Sequence, residues 1–179
     1  MTRSRTLNML TWIMLIVSMT LFAACSSTSP ASQPVALTMA SPEAMVAAIR
    51  AAAGHDDSEL AVQPLRDPMV EDLRQTATRL QAQQQYKQAA AALDQALAIV
   101  PDDPALLQER AEAALLLKDP AGAEALARRA WGLGSKVGPL CRRHWATVRQ
   151  ARLLAGDATG ATSAQVQVEA CKVAGPNRF

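Results

Sequence analysis

The feature that most constrains this chain is a recurrence of residue size every 34 positions. Leu73 and Leu107, Ala77 and Ala111, Ala89 and Ala123, and Ala96 and Ala130 are each 34 residues apart. A period of this length marks supersecondary units stacked in a row. Each unit is unable to bury its apolar face alone, so about three are needed for stability. Inside each period the apolar residues fall three and four apart, as in Leu73, Ala77 and Leu80, or Ala89, Leu93, Ala96 and Leu97. That is the spacing of one helical face. Two antiparallel helices about 8–10 Å apart need small side chains where they cross. Alanine, 37 of the 179 residues, is both small and the best helix former. Aromatic residues supply only 3% of the chain and strand signals are absent, which disfavours a β-sandwich.

Helix starts are marked as well. Asp-Pro occurs at Asp67-Pro68, Asp103-Pro104 and Asp119-Pro120, where the aspartate oxygen caps a helix and proline's fixed φ begins it. Ser41-Pro42-Glu43 predicts a further helix with Met45, Val46, Ile49 and Ala53 on one face and Gly54 as its stop. A polar break, His55-Asp56-Asp57-Ser58-Glu59, follows. Beyond the second period, adding 38 to Leu115, Leu116, Asp119 and Ala123 reaches Leu153, Leu154, Asp157 and Ala161. This is a third unit after a four-residue insertion.

At these positions the chain resembles the tetratricopeptide repeat family, built from 34-residue helix-turn-helix units. The unit from about 70 to 103 carries Ala77, Tyr86, Ala89, Leu93, Ala96 and Pro101 where that family has its packing residues and closing proline. The second unit, about 104 to 137, departs with Pro120 in the place of Tyr86 and Ser135 in the place of the proline. The third places Trp145 where the family has an early tryptophan, but Arg149 where a small residue belongs. The resemblance implies an all-α fold, a short solenoid of about three antiparallel helix pairs. It also implies a concave groove, lined by the first helix of each unit, that takes an extended or helical segment of a partner. Carried onto this chain the groove presents Arg74, Thr78 and Gln81, then Gln108, Glu112 and Leu115, then Arg143, Gln150 and Leu154. The helix at 42–53 is expected to cap the array, with Met45 and Ile49 covering the exposed face of the first repeat.

The N-terminus addresses the chain. Arg3 and Arg5 precede an apolar run from Met9 to Ala24, which reads as a secretory signal rather than a span. At 16 residues it is shorter than the roughly 20 a membrane-crossing helix needs. Leu21-Phe22-Ala23-Ala24-Cys25 resembles a bacterial lipobox, which implies a covalent lipid on Cys25; Ser26 after it resembles the outer-membrane-destined class. The expected organisation is a signal peptide over 1–24, a lipidated cysteine and flexible tether over 25–40, a capping helix and linker over 41–66, and the helical domain over 67–179. The signal takes both N-terminal arginines, leaving 16 basic and 16 acidic side chains. A formally neutral chain with few aromatics is poorly suited to nucleic acid. Between Ala125 and Gly156, however, seven basic residues stand without an acid, and residues 40–72 hold seven acids against Arg50 and Arg66. The basic band reads either as a surface for acidic protein or anionic lipid or as a solvated helix face.

Two cysteines remain, in an exported and oxidising compartment. In the third unit Cys141 opens the first helix and Cys171 ends the second, and those ends are adjacent in an antiparallel hairpin, which favours a disulfide. The rival is a metal site using Cys141, His144 and Cys171, but a structural zinc wants four ligands. No catalytic or phosphate-binding motif is present, and acid pairs such as Asp102-Asp103 read as turn and cap residues. The expectation is a non-catalytic adapter or assembly factor without a cofactor beyond the lipid of Cys25. It would be anchored to the outer membrane, face the periplasm and bind an envelope protein in a pilotin-like role. The alternative is a regulator of a peptidoglycan-active enzyme.

Overall fold

The computed structural model describes residues 35–54 and 67–172. The signal peptide, Cys25, most of the tether and the polar break at 55–59 lie outside the described residues. Within them are seven helices and no strand: α1 (Pro42–Ala52), α2 (Pro68–Ala82), α3 (Tyr86–Ile99), α4 (Pro104–Leu116), α5 (Pro120–Leu133), α6 (Pro139–Leu154) and α7 (Ala158–Ala170). The all-α helical-repeat class is therefore the observed one. No described helix is long and apolar enough to cross a membrane.

The helices start where the caps stand. Asp67, Asp103 and Asp119 each accept backbone N–H bonds at the start of α2, α4 and α5, and Ser41 does so for α1. A fourth aspartate, Asp157, caps α7 through the Gly160 N–H at 2.8 Å, as Asp119 caps α5 through Gly122. The cap fits so closely that a Cβ at either glycine would lie about 2 Å from its Asp Oδ2 (2.1 and 1.9 Å). A helix N-terminus leaves four N–H groups without intrahelical partners, and these oxygens satisfy some of them.

The three helix pairs, α2–α3, α4–α5 and α6–α7, pack in series. The recurring alanines sit at the crossings: Ala77, Ala89, Ala96, Ala111, Ala123 and Ala130 are all 0–1% exposed. The turns inside the pairs repeat too. Gln84, Lys118 and Gly156 all take positive φ (58°, 60° and 74°). Immediately after each, Gln85, Asp119 and Asp157 donate N–H bonds to Leu80, Ala114 and Arg152 carbonyls five residues back. These bonds satisfy carbonyls that the helix ends leave open. α4 is the central element, with Leu106, Leu107, Gln108 and every residue from Ala111 to Leu116 buried. The Cys141–Cys171 disulfide joins the start of α6 to the end of α7, with Cα atoms 5.7 Å apart.

The expected role of α1 needs correction. It does not cover the face of the first repeat. It lies on α6 and α4, with Val46 and Ile49 in one apolar cluster with Ala114, Leu115, Ala146 and Ala151. The reason is chemical as well as steric. Arg142, 3% exposed, donates to the carbonyls of Ala52 and Ala53 at the end of α1, and Arg50 reaches Glu112 of α4. A cation at a helix C-terminus is favourable because the last carbonyls there carry partial negative charge. The first unit holds α1 only at its margins, through Arg50 to Gln81 and Tyr86 to Glu43.

Candidate functional site

The concave face is built by α2, α4 and α6, the first helix of each pair, and α1 divides it in two. Under α1 the face is closed. Gln108, Glu112 and Leu115 are fully buried, Gln150 is 9% exposed, and Leu154 is half-buried against the same cluster. These five positions, expected as open groove lining, are covered instead: Leu115 and Leu154 pack in the cluster that holds Val46 and Ile49, Glu112 accepts from Arg50, and Gln108 and Gln150 are buried. Beside α1 the face stays open as a cleft of about 370 Å³. Arg74, Thr78 and Gln81 from α2 line it, with Glu109 from α4, Arg143 from α6 and Arg50 from the end of α1. Four of the nine expected groove residues, Arg74, Thr78, Gln81 and Arg143, thus share one open site.

Two carboxylates organise the guanidinium groups there. Glu112, fully buried, accepts from Arg50 Nε at 2.9 Å and from Arg143. It also accepts from Gln108 Nε2 at 3.0 Å. A carboxylate taken out of water is tolerated when cations and hydrogen bonds compensate it on every side. Glu109 accepts from Arg74 Nε at 3.0–3.1 Å, tying α4 to α2, and Glu71 accepts from Arg74 Nη1 at 2.8 Å. The hydrogen bond to Glu109 raises the Arg74 pKa above its ordinary value, although burial opposes this. Glu109 and Arg50 escaped the sequence reading. Glu109 is 35 positions beyond Arg74, one more than the repeat period, and Arg50 lies on a helix expected only to cap the first repeat through Met45 and Ile49.

Below the cleft a polar chain runs into the core. Gln108 Nε2 donates to Thr147 Oγ1 at 2.8 Å, and Thr147 donates to the Arg143 carbonyl at 2.9 Å. With its amide nitrogen thus occupied, Gln108 Oε1 accepts from His144 Nδ1 at 2.8 Å. His144 Nε2 is buried without a partner. Burial first, then the positive charges of Arg143 and Lys136, push the His144 pKa down to about 3, so the ring is neutral. The metal alternative fails on its donors: Cys141 and Cys171 share a disulfide and offer no thiolate, and His144 Nδ1 is engaged by Gln108.

The basic band also finds its use inside the molecule. Arg128 and Arg152 both bond Glu124, Arg129 bonds Asp102, and Lys136 donates to the Trp131 and Gly132 carbonyls. Arg142 and Arg143 hold α1 and Glu112 as above. Arg128 and Lys136 further lie over the rings of Trp145 and Trp131, which meet edge to face at 5.3 Å. Six of the seven cations are thus committed to intramolecular partners, which accounts for the band without an anionic ligand. Burial raises the Glu124 carboxyl, but the hydrogen bonds from Arg152 and Arg128 outweigh it and hold its pKa low.

No family model matches the chain, and a comparison with the curated proteins finds no match. The tetratricopeptide resemblance therefore rests on the packing positions named above. Among solved structures, the chain is similar to the globular C-terminal domain of LpoP from P. aeruginosa. The two share 31% identity and superpose with a TM-score of 0.56 over 59% of this chain and 99% of that domain.

Proposed function

We propose that this chain, which belongs to the same family as the LpoP globular C-terminal domain, is a non-catalytic regulator of a peptidoglycan-synthesising envelope enzyme. The observation that carries the reading is the similarity to nearly the whole of that LpoP domain, which suggests the regulatory role. It favours the regulator over a pilotin-like adapter. The lipobox at Cys25 and Ser26 would place the protein on the outer membrane facing the periplasm, with residues 25–40 as its tether. A carrier of this kind needs a surface rather than a reaction centre. The open cleft, with Arg74, Thr78 and Gln81 on one wall, is the part of the concave face available to a segment of the partner. Among the described residues, the one buried histidine is neutral and sealed beneath this face.

Crosslinking the native protein in its membrane and identifying the adduct tests the reading. A peptidoglycan synthase is the expected adduct; a secretion or pilus component in its place would overturn it. Charge reversal of Arg143 is a poor probe of the surface, because it leaves buried Glu112 facing a second carboxylate. Thr78 is exposed and its side chain bonds only the Arg74 carbonyl, so Thr78→Arg alters the cleft without disturbing the core. It should lower the adduct yield at least tenfold with an unchanged melting temperature. An undiminished yield would move the partner surface away from the cleft.

A further inference from the structure

The helix that covers half of the concave face describes what that face accepts. α1 has 11 residues, a length at which an isolated helix is marginal in water. Its order therefore comes from the surface beneath it. Met45, Val46 and Ile49 turn inward and are 1%, 4% and 0% exposed. Arg50, the next residue, reaches across to buried Glu112, and Arg142 takes the carbonyls of Ala52 and Ala53 at the helix end. The face thus reads three properties of a helix laid on it. These are an apolar triplet at i, i+1 and i+4, a cation at i+5, and a C-terminus whose last carbonyls are open. These contacts lay α1 across α4 of the second pair and α6 of the third, but they are not what joins the pairs. The helix pairs pack on one another directly, and the disulfide closes α6 on α7 without α1.

We propose that the α4–α6 face is a helix-binding site whose resident occupant, α1, is exchangeable, and that a partner docks there through an amphipathic helix of the same chemistry. That helix carries three apolar side chains at i, i+1 and i+4 followed by arginine at i+5. A helix with an acid at the arginine position is rejected, because it brings a second carboxylate against Glu112, an unfavourable pairing that supplies selectivity. The inference goes beyond the proposed function by adding, beside the open cleft, a second contact on the face that α1 covers. It draws on that function only for the partner's identity.

The test uses the purified full chain and a labelled peptide spanning residues 41–54, with no partner present, so its outcome is independent of which enzyme is regulated. Ile49→Asp places a charge in the apolar cluster and should release α1, seen as loss of amide protection confined to 42–52. The peptide should then bind the variant at least tenfold more tightly than the wild type, whose site is filled. The same peptide carrying Arg50→Glu should bind the variant at least tenfold more weakly. Equal binding to variant and wild type, or indifference to Arg50→Glu, would overturn the proposal. Arg50→Glu in the full chain releases α1 without touching the apolar cluster and should give the same peptide preference. If both full-chain variants lose cooperative thermal unfolding, α1 is an integral part of the fold and the site has no exchangeable occupant.

Discussion

The first and third helix pairs differ in opposite directions in sequence and in structure. The first, α2–α3, matches the repeat pattern best, with Ala77, Ala89, Leu93 and Ala96 at its crossings, and its concave side is the open cleft. The third, α6–α7, matches it worst, with Arg149 in place of a small residue, and its concave side is covered. Yet the third is the more heavily secured. It carries the disulfide, the α1 contacts, the Gln108–His144–Thr147 chain and the Trp131–Trp145 pair. Regular packing positions are enough to close a pair on themselves. Where the pattern decays, covalent and polar links replace it, and those links also decide which half of the concave face stays open.

Removing the disulfide is the strongest way to break this contrast. Closing a loop of 30 residues contributes about 3–4 kcal/mol in the chain-entropy model. A Cys141→Ala/Cys171→Ala double variant should lose stability of that order, measured by urea unfolding. The loss should be local at first. Amides of α7 should lose hydrogen-exchange protection while those of α2 and α3 keep theirs. Uniform loss across all three pairs would show that the third needs no staple of its own.

Acid should act on the same half of the molecule. His144 takes up a proton in the folded chain only near pH 3, but near its ordinary 6.5 when unfolded. Between those values the unfolded state binds more protons, so stability falls as pH falls. The loss is small at pH 7 and amounts to about 2 kcal/mol by pH 5. The low pKa of Glu124 adds acid sensitivity only below about pH 4.5, outside that window. His144→Gln, which keeps a neutral donor toward Gln108, should flatten the melting-temperature profile between pH 7 and pH 5. A profile as steep as the wild type's would place the acid sensitivity elsewhere.

How far this contrast was legible in the sequence follows from the range of the forces involved. Caps, turns and crossings are set by neighbours within a few residues or one repeat away, so Asp67, Asp103, Asp119 and the recurring alanines announced themselves. The pairing of Cys141 with Cys171 followed once the hairpin was assumed. The placement of α1 did not. Its apolar stripe of Met45, Val46 and Ile49 fits any apolar face, and only Arg142 and Glu112, some 90 and 60 positions away, select the one it takes. The central helix α4 misled for a related reason. Buried on nearly every side, it has no separate polar face, so nothing in its residue spacing marks Gln108 and Glu112 as covered. The basic band left two readings open for the same reason, since the acids that pair with Arg129, Arg143 and Arg152 lie far away in sequence.

The turn inside each pair gives the smallest and most discriminating test of whether the pairs are equivalent. Gln84, Lys118 and Gly156 hold the same left-handed conformation, but only the third pair meets it with glycine. A side chain there sets Cβ against the following carbonyl, a cost of about 1–2 kcal/mol that glycine avoids, while glycine also loses more freedom on folding. Gln84→Gly should therefore gain less than about 1 kcal/mol, and Gly156→Ala should lose about 1 kcal/mol. The two melting temperatures should move by a few degrees in opposite directions. Both turns bond back to a carbonyl five residues earlier, so a difference in size between the two shifts measures what surrounds each turn rather than the turn itself. If Gly156→Ala is silent while Gln84→Gly stabilises, the disulfide and α1 already hold the third pair so firmly that its turn contributes nothing. Shifts of similar size would instead mean that the added links secure the ends of α6 and α7 and leave the turn between them to the same local physics as in the first pair.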